Sequence, residues 1–199
     1  INSIDSAFLM RYTQPGTECV TLSFGTGADG YCFVYDFIAS ARSGKPEWHE
    51  RREKRFGDSL WGVVSIINCY GRTAVFNGAS GDVSFGVMDE NIGTEFGDTV
   101  RRVLNTQPYT LMGTNTKVSA LEIYTDCGVD DESSLTISWS DDGGFNYSNK
   151  LTRSTGGLGD YGRRLVWNQL GGFSLQRMLQ IEYTGEYPRA INKIMANTQ

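Results

Sequence analysis

Histidine and proline are nearly missing: the 199 residues hold one histidine, His49, and four prolines. A lone histidine leaves little material for a histidine-based catalytic triad, and scarce proline excludes a proline-rich linker or ligand segment. The four cysteines, Cys19, Cys32, Cys69 and Cys127, form no C-x-x-C pair. Zinc sites draw on clustered thiolates and imidazoles at short spacing, so no metal site is expected. Cys19, Cys32 and Cys69 sit in apolar strand-like runs, which reads as buried free thiols rather than disulfides. No run approaches the roughly 18 apolar residues that span a bilayer, so the chain reads as soluble, with no membrane contact. Ile1 stands where an initiator Met would be, with no charged segment ahead of an apolar run. That reads as an internal start in a longer polypeptide.

Apolar stripes of helical period are also scarce, and a helix is expected only at Thr94–Leu104. What the chain has instead is 24 glycines with ten Tyr, ten Phe and four Trp, the composition of short strands joined by tight turns. Cys19–Phe24 leads through the Gly25–Gly30 turn into Tyr31–Asp36. A polar loop over Ser40–Pro46 then precedes Glu47–Arg52 around Trp48, in which His49 opposes Trp48 in direction and reads as an ordinary surface or interface histidine. Leu60–Cys69, Arg72–Phe76 and Val83–Met88 repeat the rhythm, with Tyr35 and Phe76 in similar places about forty residues apart. Residues 1–105 are therefore expected to form propeller-blade-like antiparallel meanders.

Beyond Asn105 alternation is cleaner. Lys117–Thr125 puts Leu121 and Ile123 on one side, and Ser134–Ser140 sets Leu135, Ile137 and Trp139 against Thr136, Ser138 and Ser140. Half-buried antiparallel strands produce this pattern. Arg163–Leu170 and Phe173–Thr184 complete residues 106–199 as a small antiparallel sheet or sandwich, so the fold class is all-β. Arg177 falls on the apolar parity of the last strand, which marks an edge, a bulge or an interface contact.

Charge is segregated along the chain. The net charge is −5, yet Asp89–Asp142 carries eleven acids against three bases, and Lys150 onward seven bases against three acids. Arg42, Lys45, Arg51, Arg52, Lys54 and Arg55 are interleaved with Glu47, Glu50 and Glu53. Such segregation steers complementary faces together in an assembly.

One local motif is sharp. Ser140-Asp141-Asp142-Gly143-Gly144-Phe145-Asn146-Tyr147 resembles the Asp-box of sialidases and related β-proteins. Ser140 and Asp142 can bond the backbone N–H groups of their own turn, and Gly144 can take positive φ. Tyr147 is expected to fold back and bury its ring. The motif predicts a hairpin between Leu135–Ser140 and Tyr147–Thr152, a structural device without catalytic residues. A sialidase would also carry converging arginines, a Tyr–Glu pair and repeated boxes. Adjacent Asp141 and Asp142 cannot flank a glycosidic bond, and no glycine run is followed by the Lys-Ser/Thr of a phosphate loop.

The phrases Leu135–Gly144 and Gly159–Gly171, with Phe33-Val34-Tyr35-Asp36 and Trp48-His49-Glu50-Arg51 upstream, are similar to the packaged-DNA stabilisation proteins of lambdoid short-tailed bacteriophages, also called tail hub or head-completion proteins. The resemblance runs from about Val20 to Ile181. It implies a non-enzymatic virion protein of the tail, assembled in the host cytoplasm, without cofactors. It further implies a homo-oligomeric ring that continues the DNA channel and helps retain packaged DNA. The implied partners are the portal–adaptor ring, the tail needle and the tailspikes. Gln169 and Gly171–Ser174 stand where relatives are more basic, which leaves Arg163, Arg164 and Arg177 as residues to face DNA or a neighbouring subunit. The alternatives are a carbohydrate-binding or sialidase-like Asp-box module and a cellular propeller-type scaffold.

Overall fold

The computed structural model describes residues 6–25, 30–53, 60–78, 84–110, 115–130 and 133–198, and in these it holds seventeen strands and one helix. The chain divides into two units, residues 1–98 and 99–199. Among the described residues no helix is long and apolar enough to cross a membrane.

In the first unit, β1 (Phe8–Gln14), β2 (Thr17–Phe24) and β3 (Tyr31–Asp36) run as an antiparallel meander. The helix α1 (Phe37–Ser43) follows, and β4 (Trp48–Glu50) closes the sheet against β3. A second, three-stranded meander comprises β5 (Val63–Cys69), β6 (Arg72–Asn77) and β7 (Ser84–Met88). The short strands β8 (Thr94–Glu95) and β9 (Asp98–Thr99) pair as a ribbon. Tyr12, Cys19, Cys32 and Val34 of the first sheet bury against Trp61, Val63 and Val75, with Ile66 and Met88 packed beside them. The described residues of this unit thus hold two antiparallel meanders and one short ribbon.

The helix lies where a polar loop was expected, and its capping explains it. Asp36 accepts from the N–H groups of Ile38 and Ala39, both at 2.9 Å, and Gly44 ends the helix at φ 70°. Thr94–Leu104, the expected helix, is instead strand and turn, with left-handed Phe96 and Gly97 breaking the run.

On the edge strand β4, Trp48 and His49 lie on opposite faces. Tyr35 pairs with Trp48 and Val34 with His49, so Trp48 lies on the outer face, 57% exposed, and His49 shares a side with core residue Val34. Cys19, Cys32 and Cys127 are buried, but Cys69, at the end of β5, is exposed; all four thiols are free. Residues 26–29, 54–59 and 79–83, which hold most of the Gly25–Gly30 turn together with Lys54, Arg55 and Val83, lie outside the described residues.

The second unit is a sandwich. Its strands are β10 (Arg101–Asn105), β11 (Thr116–Thr125), β12 (Ser134–Ser140), β13 (Leu151–Ser154), β14 (Leu165–Asn168), β15 (Gly172–Phe173), β16 (Met178–Thr184) and β17 (Ile191–Thr198). One sheet has the order β10-β16-β12-β13; in the other, β11 pairs with β14, β15 and β17. Leu135, Ile137, Leu179, Ile181 and Tyr183 from the first meet Val118, Leu121, Ile123, Leu165 and Trp167 from the second in one core. A register shift against β17 between Val118 and Ala120 lets Val118 and Leu121 both point inward despite opposite parity. Each fully buried Leu or Ile contributes about 1.5–3 kcal/mol relative to exposure.

Two strands are shorter than alternation implied. Arg163–Leu170 is strand only at Leu165–Asn168, because Gln169 turns out at φ 60°. Phe173–Thr184 is broken: the chain leaves β15 after Phe173 and resumes at Met178, with Arg177 just before β16.

Candidate interface residues and the turn that supports them

The Asp-box turn closes on itself through two side chains. Ser140 Oγ donates to Asp142 Oδ1 at 2.7 Å and accepts from Gly144 N–H at 2.8 Å. The same Asp142 oxygen accepts from the N–H groups of Phe145 (3.0 Å) and Asn146 (2.9 Å), and Oδ2 accepts from the Asn146 amide at 2.6 Å. These donors, the Asn146 N–H first, hold the Asp142 carboxyl down to about 2. Gly143 and Gly144 supply the positive φ. The return strand starts at Leu151, opposite Ile137, after Ser148 N–H has bonded Trp139 C=O at 2.8 Å. Tyr147 is 37% exposed and does not bury its ring; its hydroxyl leans toward Gly144, where a Cβ would lie 3.5 Å from it.

Beside this turn sits an ion pair not anticipated from spacing. Arg177 is 2% exposed, and its Nε and Nη2 donate to the two oxygens of Asp141 at 2.6 and 2.7 Å. Nη1 donates to Leu170 C=O at 2.8 Å, and Nη2 also reaches Gly172 C=O. The guanidinium lies over the rings of Trp139 (5.3 Å) and Phe173 (4.9 Å). Arg177 therefore faces inward, not toward DNA or a neighbour: it ties the Asp-box loop to the segment around β15. Its apolar parity was the available signal, and its partner Asp141 lies between the two box residues.

Arg163 and Arg164 are surface residues already bonded to carboxylates. Arg163 meets Asp160 at 3.0 Å, and Arg164 binds Glu122 through two bonds of 2.7 and 2.8 Å. Arg164 holds the Glu122 carboxyl below the usual range. Glu182 on β16 receives Arg101 at 2.7 Å and Lys150 at 2.6 Å, and these cations lower its pKa in the same way. Much of the basic C-terminal stretch is thus matched within the sandwich by acids.

The first unit has its own inward charges. Glu53 is 2% exposed and accepts from Gly62 N–H at 3.0 Å and from the Asn77 amide at 3.1 Å. Arg51 lies 4.1 Å from the Trp61 ring centre and pairs with Glu95, which also accepts from the Trp61 indole N–H. Arg52 pairs with Glu50 at 2.8 Å. The mixed run around Trp48 thus supplies internal bonds as well as surface charge.

Apolar groups persist on the outer faces of this unit. On the first sheet Phe24, Tyr31 and Phe33 make mutual ring contacts, and Tyr35 touches Phe37 and Trp48, each at 4.9 Å between centres. On the second sheet Ile67, Ala74 and Val87 are cross-strand neighbours, as are Phe76 and Phe85, whose rings lie 5.1 Å apart. Ile67, Phe85 and Val87 are 50%, 63% and 44% exposed. Both sheets bury one face in the shared core and present apolar side chains on the other. Large exposed apolar patches occur at protein or membrane interaction sites and at ligand-binding grooves.

These features define an all-β chain whose distinctive side chains brace turns and present surfaces, with an antiparallel β-sandwich as its second unit. Residues 101–199 match the family model described as the beta-sandwich of bacteriophage P22 Gp10. No curated protein matches the chain.

Proposed function

We propose that this chain is part of a structural, non-enzymatic protein of a short-tailed bacteriophage virion, acting in the tail as a hub or head-completion subunit. The observation that carries the reading is the match of the whole sandwich, residues 101–199, to the P22 Gp10 beta-sandwich. In this role the subunit forms a homo-oligomeric ring, docks onto the portal–adaptor ring, receives needle and tailspike proteins, and helps retain packaged DNA. The outer faces of the first unit support it. A β-unit that is apolar outside as well as inside is suited to being covered by neighbours. Arg163 and Arg164, exposed but paired, are the residues proposed to meet a neighbour or non-specific DNA at the sandwich surface.

The test is reconstitution of the full-length protein with its portal and adaptor ring, followed by analytical ultracentrifugation and electron microscopy. Ring-shaped density continuing the channel, with this chain inside it, is expected. Absence of any association at micromolar concentrations overturns the reading.

A further inference from the structure

Two depressions meet at the Asp-box turn, and the function proposed above uses neither. The first, of about 390 Å³, is lined by Trp139, Asp141, Asp142, Asn146, Tyr147 and Ser148. The second, of about 460 Å³, also reaches Asp141 and is walled by Asn115, Lys117, Ser174 and Leu175 among others. Both volumes fall within the roughly 300–1,000 Å³ of small-ligand sites.

The acceptors in the first depression are fixed before any ligand arrives. Arg177 donates one bond to each oxygen of Asp141, at 2.6 and 2.7 Å, and the Asp141 side chain is 41% exposed. A carboxylate oxygen accepts two bonds, so each Asp141 oxygen keeps one position for a further donor. Asp142 Oδ2 accepts only from the Asn146 amide among the described residues. Acceptors held this way lose little freedom when a ligand binds. The Tyr147 ring stands partly exposed beside them, and its hydroxyl has no hydrogen-bond partner among the described residues.

This lining selects by chemistry. Two carboxylates repel an anion. A hydrocarbon would cover them and leave them unpaired, at a cost. A cation finds Asp141 already neutralised by Arg177, and Lys117 at the second depression. A ligand with many hydroxyls and apolar C–H faces meets every part. Its hydroxyls donate to the carboxylates and accept from Tyr147. Its slightly positive C–H groups rest on the negative face of an aromatic ring.

We infer that the two depressions bind a neutral oligosaccharide, with Asp141 accepting hydroxyl groups where they meet. Because the depressions share that residue, a chain of sugar rings fills both, whereas a single ring fills one. The inference does not depend on the virion reading.

The test is an array of neutral oligosaccharides of glucose, galactose, mannose and rhamnose, probed with the whole chain and followed by calorimetric titration. Trigalacturonate and spermidine serve as anionic and cationic contrasts. The best neutral trisaccharide is expected to bind at least about tenfold more tightly than its methyl monoglycoside and than either contrast. Tyr147→Ala is expected to weaken the trisaccharide about tenfold. Ser174→Trp, which fills the second depression, is expected to remove the advantage of the trisaccharide over the monoglycoside. Circular dichroism is expected to show both variants folded. Tyr161→Ala removes an exposed ring that lines neither depression and is expected to change nothing. Binding of no neutral sugar at about millimolar concentration overturns the proposal, as does tighter binding of trigalacturonate or spermidine. So does equal affinity for one ring and three, binding indifferent to both Tyr147→Ala and Ser174→Trp, or an equal loss in Tyr161→Ala.

Discussion

Arg177 holds Asp141 through two parallel bonds across thirty-six residues of sequence, and the arginine is buried while its partner stands at the surface. Removing either side chain has unequal consequences. Asp141→Ala leaves a buried cation with only carbonyl acceptors and ring faces, and is expected to destabilise the sandwich by about 3 kcal/mol. Arg177→Met keeps the volume, orphans the Leu170 and Gly172 carbonyls, and is expected to cost about 2 kcal/mol. Urea unfolding of the two variants and of the double variant checks this; additive losses would show that the pair is not coupled.

Acid should loosen the Asp-box turn through Asp142. Its folded pKa is lowered from 3.8 to about 2, so its contribution is present above the unfolded value and is lost as pH falls through the folded one. Glu182 and Glu122 are lowered too and add to the same acid limb. Asp142→Asn is therefore expected to melt lower than the parent at pH 6, with the gap narrowing between pH 4 and pH 2. Melting curves across that range, followed by circular dichroism, check the sign; a gap that widens in acid contradicts it.

Thiol reactivity should separate one cysteine from three. Cys69 is exposed, whereas Cys19, Cys32 and Cys127 are buried and burial raises their pKa. Brief treatment of the native protein with a maleimide is expected to add one label, at Cys69, and treatment in denaturant to add four. Intact-mass and peptide mass spectrometry give the count and the position.

Gly128 is held at φ +69°, and a Cβ there would lie 2.5 Å from the Asp160 backbone. Backbone cannot yield as a flexible side chain does. Gly128→Ala is expected to cost well over the roughly 1 kcal/mol of an ordinary glycine substitution. By contrast Gly16, also left-handed but with open space around it, should show only the conformational penalty when replaced by Ala. Paired melting temperatures of the two variants test the difference.

Much of the strand order is legible from alternation, because a half-buried sheet writes a two-residue period into the chain. The strands β2, β3, β11 and β12 show it, and the Asp-box turn is legible from five residues that bond one another locally. The first strand, Phe8–Gln14, was not foreseen, since only Tyr12 within it is buried. The helix at Phe37–Ser43 was hidden because seven residues are too few for a helical period to stand out; its cap at Asp36 was the better signal. Which face Trp48 takes is not legible in the sequence: on an edge strand a large apolar side chain can sit on either face, and pairing with Tyr35 decides which.

Composition and local pattern by themselves determined that this is an all-β chain with a self-bonded Asp-box turn, because strand alternation and turn capping act over a few residues. Tertiary structure alone decided that Arg177 turns inward to Asp141, that two depressions meet at Asp141, and that Cys69 is the exposed thiol. Those outcomes depend on which strands lie opposite one another, and burial and electrostatics are properties of that packing, carried by residues far apart in the chain.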